Sequence, residues 1–190
     1  MFRLVAEWKT YKDTLKETRR TTFYVVDTLE TILVALLLAL LISRYVIGTS
    51  KVFSGSMEPT MMVKDKLVVN RFIYRFRDPK RSAIILFKSP RNDGKEYVKR
   101  LVGLPSDTIE IRQGVVFING NQHVFPGVNV QRDPYDFYGP EVVPENNYFV
   151  LGDNRGNSSD SRVWGFVPRK DIIGKALFTF WPLNRIQILQ

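Results

Sequence analysis

Thr31-Ile32-Leu33-Val34-Ala35-Leu36-Leu37-Leu38-Ala39-Leu40-Leu41-Ile42 is the core of the only membrane-length apolar stretch in this chain. Extended from Phe23 to Ile47, it reaches the roughly 20 residues that a spanning helix needs. It is apolar on every face, which suits lipid better than the wall of a soluble core. Asp27 and Glu30 lie near one end and Arg44 near the other, where side chains can reach the interface. A cleavable leader fits poorly: the polar lead is long, two acids intrude, and no small-x-small site follows closely. The chain therefore divides into a segment over 1–22, a transmembrane helix over 23–47 and a domain over 48–190.

Ahead of the apolar stretch stand Arg3, Lys9, Lys12, Lys16, Arg19 and Arg20, against Glu7, Asp13 and Glu17. This segment reads as a short amphipathic helix. The positive-inside rule puts it in the cytoplasm and residues 48–190 outside the cell membrane. Lys51, Lys64 and Lys66 beyond the helix reduce the asymmetry without reversing it.

Within 190 residues, an anchor leaves room for one domain of ordinary size. There is no cysteine, which excludes disulfides, thiolate zinc sites and a cysteine nucleophile. The one histidine, His123, excludes a histidine-rich metal cluster. The formal net charge of +9 comes with no nucleic-acid motif, so beside an anchor it points to anionic membrane lipid.

Beyond the anchor the pattern is mostly β. Lys66–Asn70, Ala83–Phe87, Thr108–Arg112, Tyr148–Leu151 and Ala176–Trp181 read as strands. Val115–Ile118 and Gln122–Phe125 flank Asn119-Gly120-Asn121, a hairpin signal. Pro126, Pro134, Pro140 and Pro144 mark 126–147 as a long loop or irregular lobe.

Three polar segments carry the chemistry. Ser54-Gly55-Ser56-Met57-Glu58-Pro59-Thr60 follows the anchor directly, with Ser56 nine residues past Ile47. It is either a linking turn or a reactive hydroxyl held at a membrane surface. Tyr97-Val98-Lys99-Arg100-Leu101-Val102-Gly103-Leu104-Pro105 sets Lys99 among apolar neighbours, with Tyr97 and Leu101 on its face and Arg100 on the other. A lysine acts as a general base only when neutral, and burial favours that form. The competing reading is a surface lysine on an amphipathic strand. The third segment is Gly152-Asp153-Asn154-Arg155-Gly156-Asn157-Ser158-Ser159-Asp160-Ser161-Arg162. It has too few carboxylates, and two arginines too many, for a calcium loop. His123, in a hairpin strand without a nearby acid, reads as a surface residue.

In this order, behind an anchor, the three segments resemble the nucleophile box, lysine box and third box of bacterial type I signal peptidases. The resemblance covers most of residues 30–182. It implies a mainly β fold, with a signal peptidase/LexA-like antiparallel sheet domain behind one transmembrane helix. It also implies Ser56 as nucleophile and Lys99 as general base, with the Ser54 hydroxyl and Ser56 N–H as oxyanion hole. Ser158 would orient the lysine amine. Asp160, Arg162 and Arg100 would form a supporting network. Val52, Phe53 and Val98 would line pockets for small substrate side chains. No metal or cofactor is implied. The partners are preprotein signal peptides and membrane lipid, with no nucleic acid; a monomer is the working expectation. Two departures bear on turns. Ser82 follows Arg81, and Ser106 follows Pro105, where the family commonly has glycine, and a residue with a Cβ tolerates φ > 0 poorly.

The resulting expectation is a membrane-anchored endopeptidase that cuts after small-x-small sites through an acyl-enzyme. A related Ser-Lys peptidase with other substrates, a self-cleaving repressor and a non-cutting binding domain are the rivals. The anchor disfavours the repressor, and Ser54, Ser56, Lys99 and Ser158 together disfavour a mere binder.

Overall fold

The structure is a computed structural model that describes residues 2–18, 20–45, 47–91, 93–125, 128 and 136–189. It falls into two units, Met1–Arg44 and Tyr45–Gln190.

The first unit is two helices, α1 (Phe2–Thr18) and α2 (Arg20–Tyr45). Within α2, Arg20–Leu40 is long and apolar enough to cross a membrane, and none of it is buried in the protein. The two acids that interrupt it are met by α1. Lys12 Nζ lies 2.6 Å from Asp27 and 2.7 Å from Glu30, and Trp8 Nε1 donates to Glu30 at 3.3 Å. The observed helix starts earlier than the expected span of 23–47 and stops at Tyr45. Ile47 instead opens a strand, β1 (Ile47–Lys51). Gly48 is a poor helix former, and pairing of Ile47 with Asn70 offers the backbone a ladder in place of another helical turn.

The second unit is mainly antiparallel β, as expected. After β1 come β2 (Lys66–Asn70), β3 (Ile84–Lys88), β4 (Glu96–Gly103), β5 (Thr108–Arg112), β6 (Val115–Ile118) and β7 (Asn121–His123). Then follow β8 (Tyr138–Val142), β9 (Asn147–Leu151), β10 (Val167–Pro168), β11 (Ile172–Trp181) and β12 (Gln187–Ile188), with one short helix, α3 (Ser161–Trp164), between β9 and β10. The larger sheet runs β1-β2-β11-β3-β4-β9-β10, with β12 beside β11, and the smaller runs β7-β6-β5-β8. Three apolar clusters fill the unit: Leu67, Val69, Ile84 and Leu86 in the first, Ile109, Val116 and Phe149 in the second, Ile85, Phe87 and Leu101 in the third. Adjacent residues of β3 feed different clusters, so the strand is buried on both faces and its sequence is a continuous apolar run.

Besides the two-residue β10 and β12, β1 and β8 had no apolar alternation to announce them. In β1, Ile-Gly-Thr-Ser-Lys is held as an edge by its ladder to β2. In β8, Tyr138–Val142 pairs with β5 inside the stretch read as a loop, and Pro140 is tolerated because β8 is an edge. Residues 126, 127 and 129–135 of that stretch lie outside the described residues. Ser82 and Ser106 both sit at φ 69°, in the left-handed region.

Candidate active site

Ser56 lies in a one-turn 3-10 helix, Gly55–Met57, that begins shortly after β1, with Ser54 in extended conformation at the N-cap position and no cap bond from its side chain. In such a first turn the N–H of Ser56 has no intrahelical acceptor. Met57 is buried in the first cluster and anchors the turn to the sheet. Lys99 comes from the middle of β4, paired with Ile85 of β3. The alternation of β4 aims it at the turn while Arg100 points the other way.

The two meet. Lys99 Nζ is 2.5 Å from Ser56 Oγ, and Ser54 Oγ is 3.2 Å from the same oxygen. Lys99 and Ser56 are only 4% and 6% exposed, so this contact is shielded from water. Burial pushes the Lys99 amine down from 10.5 to about 8, although the Asp160 and Asp153 carboxylates pull it back up in part. About a tenth of the amine is then neutral at pH 7, against well under a thousandth at the usual value.

The pair opens on a cleft of about 740 Å³ whose walls include Val52, Phe53, Tyr97 and Val98. Val52 belongs to the core and Val98 packs against it, but Phe53 is 80% exposed and stands at the rim.

Behind the pair, the loop after β9 is held by two arginines. Arg100 makes a bidentate pair with Asp153 at 2.8 and 2.7 Å and donates to the Ser82 carbonyl at 2.9 Å. Thr60 Oγ1 donates to Asp153 at 2.6 Å, which ties this pair to the turn that carries Ser56. Arg162 pairs with Asp160 at 2.9 Å and with Asp136 at 2.9 Å, and Asp160 accepts the Gly152 N–H at 3.0 Å. The network expected of Asp160, Arg162 and Arg100 is thus two networks. Arg100 takes Asp153, because it projects from the opposite face of β4 to Lys99.

Ser158, expected to orient the lysine amine, makes no hydrogen bond to it among the described residues. Its hydroxyl is buried and has no hydrogen-bond partner among the described residues, and the Lys99 amine donates to Ser56 instead. Ser158 Oγ is wedged against Gly152, where an added Cβ would lie 2.2 Å from it and 2.5 Å from the Ser56 carbonyl oxygen. A glycine is required there by close approach, since any side chain would displace one of the two. His123 is in the smaller sheet, with its ring 4.6 Å from that of Phe125, and takes no part in the cleft. Burial, and then the charge of Arg81, push its imidazole below the ordinary value.

The family model described as "Signal peptidase, peptidase S26" matches residues 25–181. The chain belongs to this family. The probable signal peptidase I-2 of Synechocystis sp. is 39% identical over 165 residues, covering 84% of this chain and 75% of that protein. The signal peptidase I of Leptolyngbya laminosa is 40% identical over 166 residues, covering 83% and 80%. A crystal structure of a signal peptidase I from Enterococcus faecalis V583 is 37% identical, covers 52% of this chain and 97% of its own, and has a TM-score of 0.46. The matched span of this S26 peptidase contains all three segments just described, from Ser54 to Arg162.

Sequence reasoning missed the roles of Asp153 and Thr60. Both stood inside the quoted segments, but nothing local says which of two acids an arginine will take.

Proposed function

We propose that this S26 peptidase removes N-terminal signal peptides from preproteins, with Ser56 as nucleophile and Lys99 as general base. The observation that carries the reading is the buried 2.5 Å contact between Lys99 Nζ and Ser56 Oγ at the floor of the cleft. When the amine is neutral, its lone pair accepts the Oγ proton as Oγ attacks the carbonyl carbon of the scissile bond. The Ser56 N–H and the Ser54 hydroxyl donate to the oxyanion that forms. The resulting ammonium protonates the leaving amine. A water then hydrolyses the acyl-enzyme, with Lys99 taking its proton. The names of the relatives at 39 and 40% identity support the substrate class.

Substrate choice follows from the cleft. Val52 and Val98 are backed by the core and cannot withdraw, so small side chains fit there and large ones meet steric strain. Cleavage after small-x-small sequences is the outcome. Asp160 with Arg162, and Arg100 with Asp153, hold the walls; Ser158 is a spare hydroxyl beside them.

The reading extends to the membrane. The 1–22 segment lies in the cytoplasm, α2 spans the bilayer, and the domain from 48 onward works at the outer face. Ser56 lies 11 residues beyond Tyr45, the last residue of α2, so an extended link reaches at most about 40 Å and the site stays near the surface.

The deciding experiment is incubation of the purified full chain with a preprotein, with mass spectrometry of both product ends. One cut after a small-x-small site, lost in Ser56→Ala and in Lys99→Ala, is the expected result. A Ser56→Ala protein with normal turnover would sink the assignment.

A further inference from the structure

Asn154 lies in the loop after β9, two residues past Gly152, and is half-buried. None of the pairings described above uses it. Its side-chain Nδ2 donates to the Gly55 carbonyl at 3.1 Å, and its backbone N–H donates to the Ser56 carbonyl at 3.1 Å. A single residue from a segment roughly a hundred positions away therefore grips the carbonyl on each side of the nucleophile's Cα. The amide orientation is fixed by chemistry: a carbonyl can only accept, so the NH2 end must face Gly55.

The Gly55 carbonyl and the Ser56 N–H belong to one planar trans peptide and point to opposite sides of it. Whatever holds the carbonyl aims the N–H. The Glu58 N–H also reaches the Gly55 carbonyl, at 3.2 Å, but it comes from within the same turn and moves with it. Asn154 ties that carbonyl to the rigid part of the domain. Its loop is anchored in turn by Asp153 on Arg100 and by Asp160 on the Gly152 N–H.

We infer that Asn154 is a positioning residue for the oxyanion hole, fixing the peptide plane whose N–H stabilises the transition state. This rests on the Ser56 reading above. The alternative is that Asn154 merely fills space where the loop packs on the turn. The two differ in what they predict. A plane held for transition-state binding affects kcat far more than KM. It leaves the ionisation of Lys99 alone, since the neutral Asn154 hydrogen-bonds to the Gly55 and Ser56 carbonyls and not to the amine.

The experiment measures kcat, KM and the pH dependence of kcat for the full chain with a preprotein, for wild type, Asn154→Asp, Asn154→Ala and Ser56→Ala. Asn154→Asp keeps the shape and removes the donor facing Gly55. The expected result is a fall in kcat on the order of 10- to 100-fold in both Asn154 variants. KM should stay within about twofold, and the apparent pKa of kcat should be unchanged in Asn154→Ala, which adds no charge beside Lys99. An Asn154→Asp protein with wild-type kcat would overturn the inference, as would a loss that lies wholly in KM or, in the uncharged Asn154→Ala, a displaced pH profile. If Asn154→Ala fails to fold, Asn154→Asp decides alone. Ser56→Ala separates the two levels. Its activity would remove the reading on which the inference rests, whereas an inactive Ser56→Ala beside a fully active Asn154→Asp removes only the inference.

Discussion

At the scale of the residue, Lys99 carries both the proposed chemistry and a cost. Its folded pKa, about 8, lies below its usual 10.5, so between those values the unfolded chain holds more protons than the native one. Stability therefore rises with pH across that window, and below pH 8 the whole penalty is present. The displacement is worth about 3 kcal/mol. Lys99→Met should abolish cleavage yet raise the unfolding free energy at pH 7 by up to about 3 kcal/mol, an advantage that fades as pH approaches 10.5. Urea titrations at pH 7 and pH 10 measure it, and an equal gain at both would contradict the cause given. Activity should climb with pH through an apparent pKa near 8 and level off above it, because only the neutral amine accepts the Ser56 proton. Ser82 is a second residue-scale case. At φ 69° its Cβ is strained, while its carbonyl serves Arg100 and would be kept by glycine. Ser82→Gly should stabilise by about 0.5 kcal/mol, the relief of the left-handed conformation exceeding the extra entropy of an unfolded glycine. A lower melting temperature would count against it.

At the scale of the element, the site is a meeting of three pieces: the turn after β1, the middle of β4 and the loop after β9. What binds them is the Arg100–Asp153 pair, with Arg100 and Asp153 side chains 4% and 1% exposed. It links β4 to the β9 loop and, through Thr60 and the Ser82 carbonyl, to the turn that carries Ser56 and the approach to β3. Removing one partner strands a buried charge, at a cost of about 3–5 kcal/mol. Asp153→Ala should therefore lose that much in chemical denaturation and should lose activity with it. Arg100→Met combined with Asp153→Leu should recover much of the stability, since no charge is left unpaired. A double variant as unstable as the single would show that packing, not charge, is what the pair supplies. Gly152→Ala tests the other junction. Its methyl would meet Ser158 Oγ and the Ser56 carbonyl, so activity should drop sharply even where the fold survives.

At the scale of the whole molecule, the two units are built by different physics. The helical unit exposes its apolar residues, which suits lipid, while the β unit buries its own in three clusters. On the proposed topology, protease added to spheroplasts should digest the chain beyond residue 50 and spare the first unit. Full protection of the domain would reverse the orientation. Lys12→Ala should loosen the first unit specifically, by taking the ammonium from Asp27 and leaving Glu30 with Trp8 alone, and should leave the chemical step unchanged.

The division between sequence and tertiary structure follows the range of the forces involved. An apolar run of membrane length, the Asn119-Gly120 turn and the alternating strands at Lys66–Asn70 and Thr108–Arg112 are local properties, decided by solvation and backbone preference within a few residues. They were legible, as were the three polar segments and the serines at turns that favour glycine. The edge strands β1 and β8 were not, because their own side chains do not ask for a strand; ladders from β2 and β5 supply the reason. Nor was the end of α2 at Tyr45, which that same pairing of β1 decides. The site shows the same split. Ser56 and Lys99 could be named as candidates from residue type and neighbours, but their 2.5 Å approach spans 43 positions and depends on the alternation of β4 beside a turn pinned by Met57. Which aspartate each arginine takes, and that Ser158 stays unpaired while Asn154 holds the peptides around Ser56, was settled only by which strand faces met. Charge and hydrogen-bonding capacity are written in each residue, whereas partners are assigned by the geometry of closure.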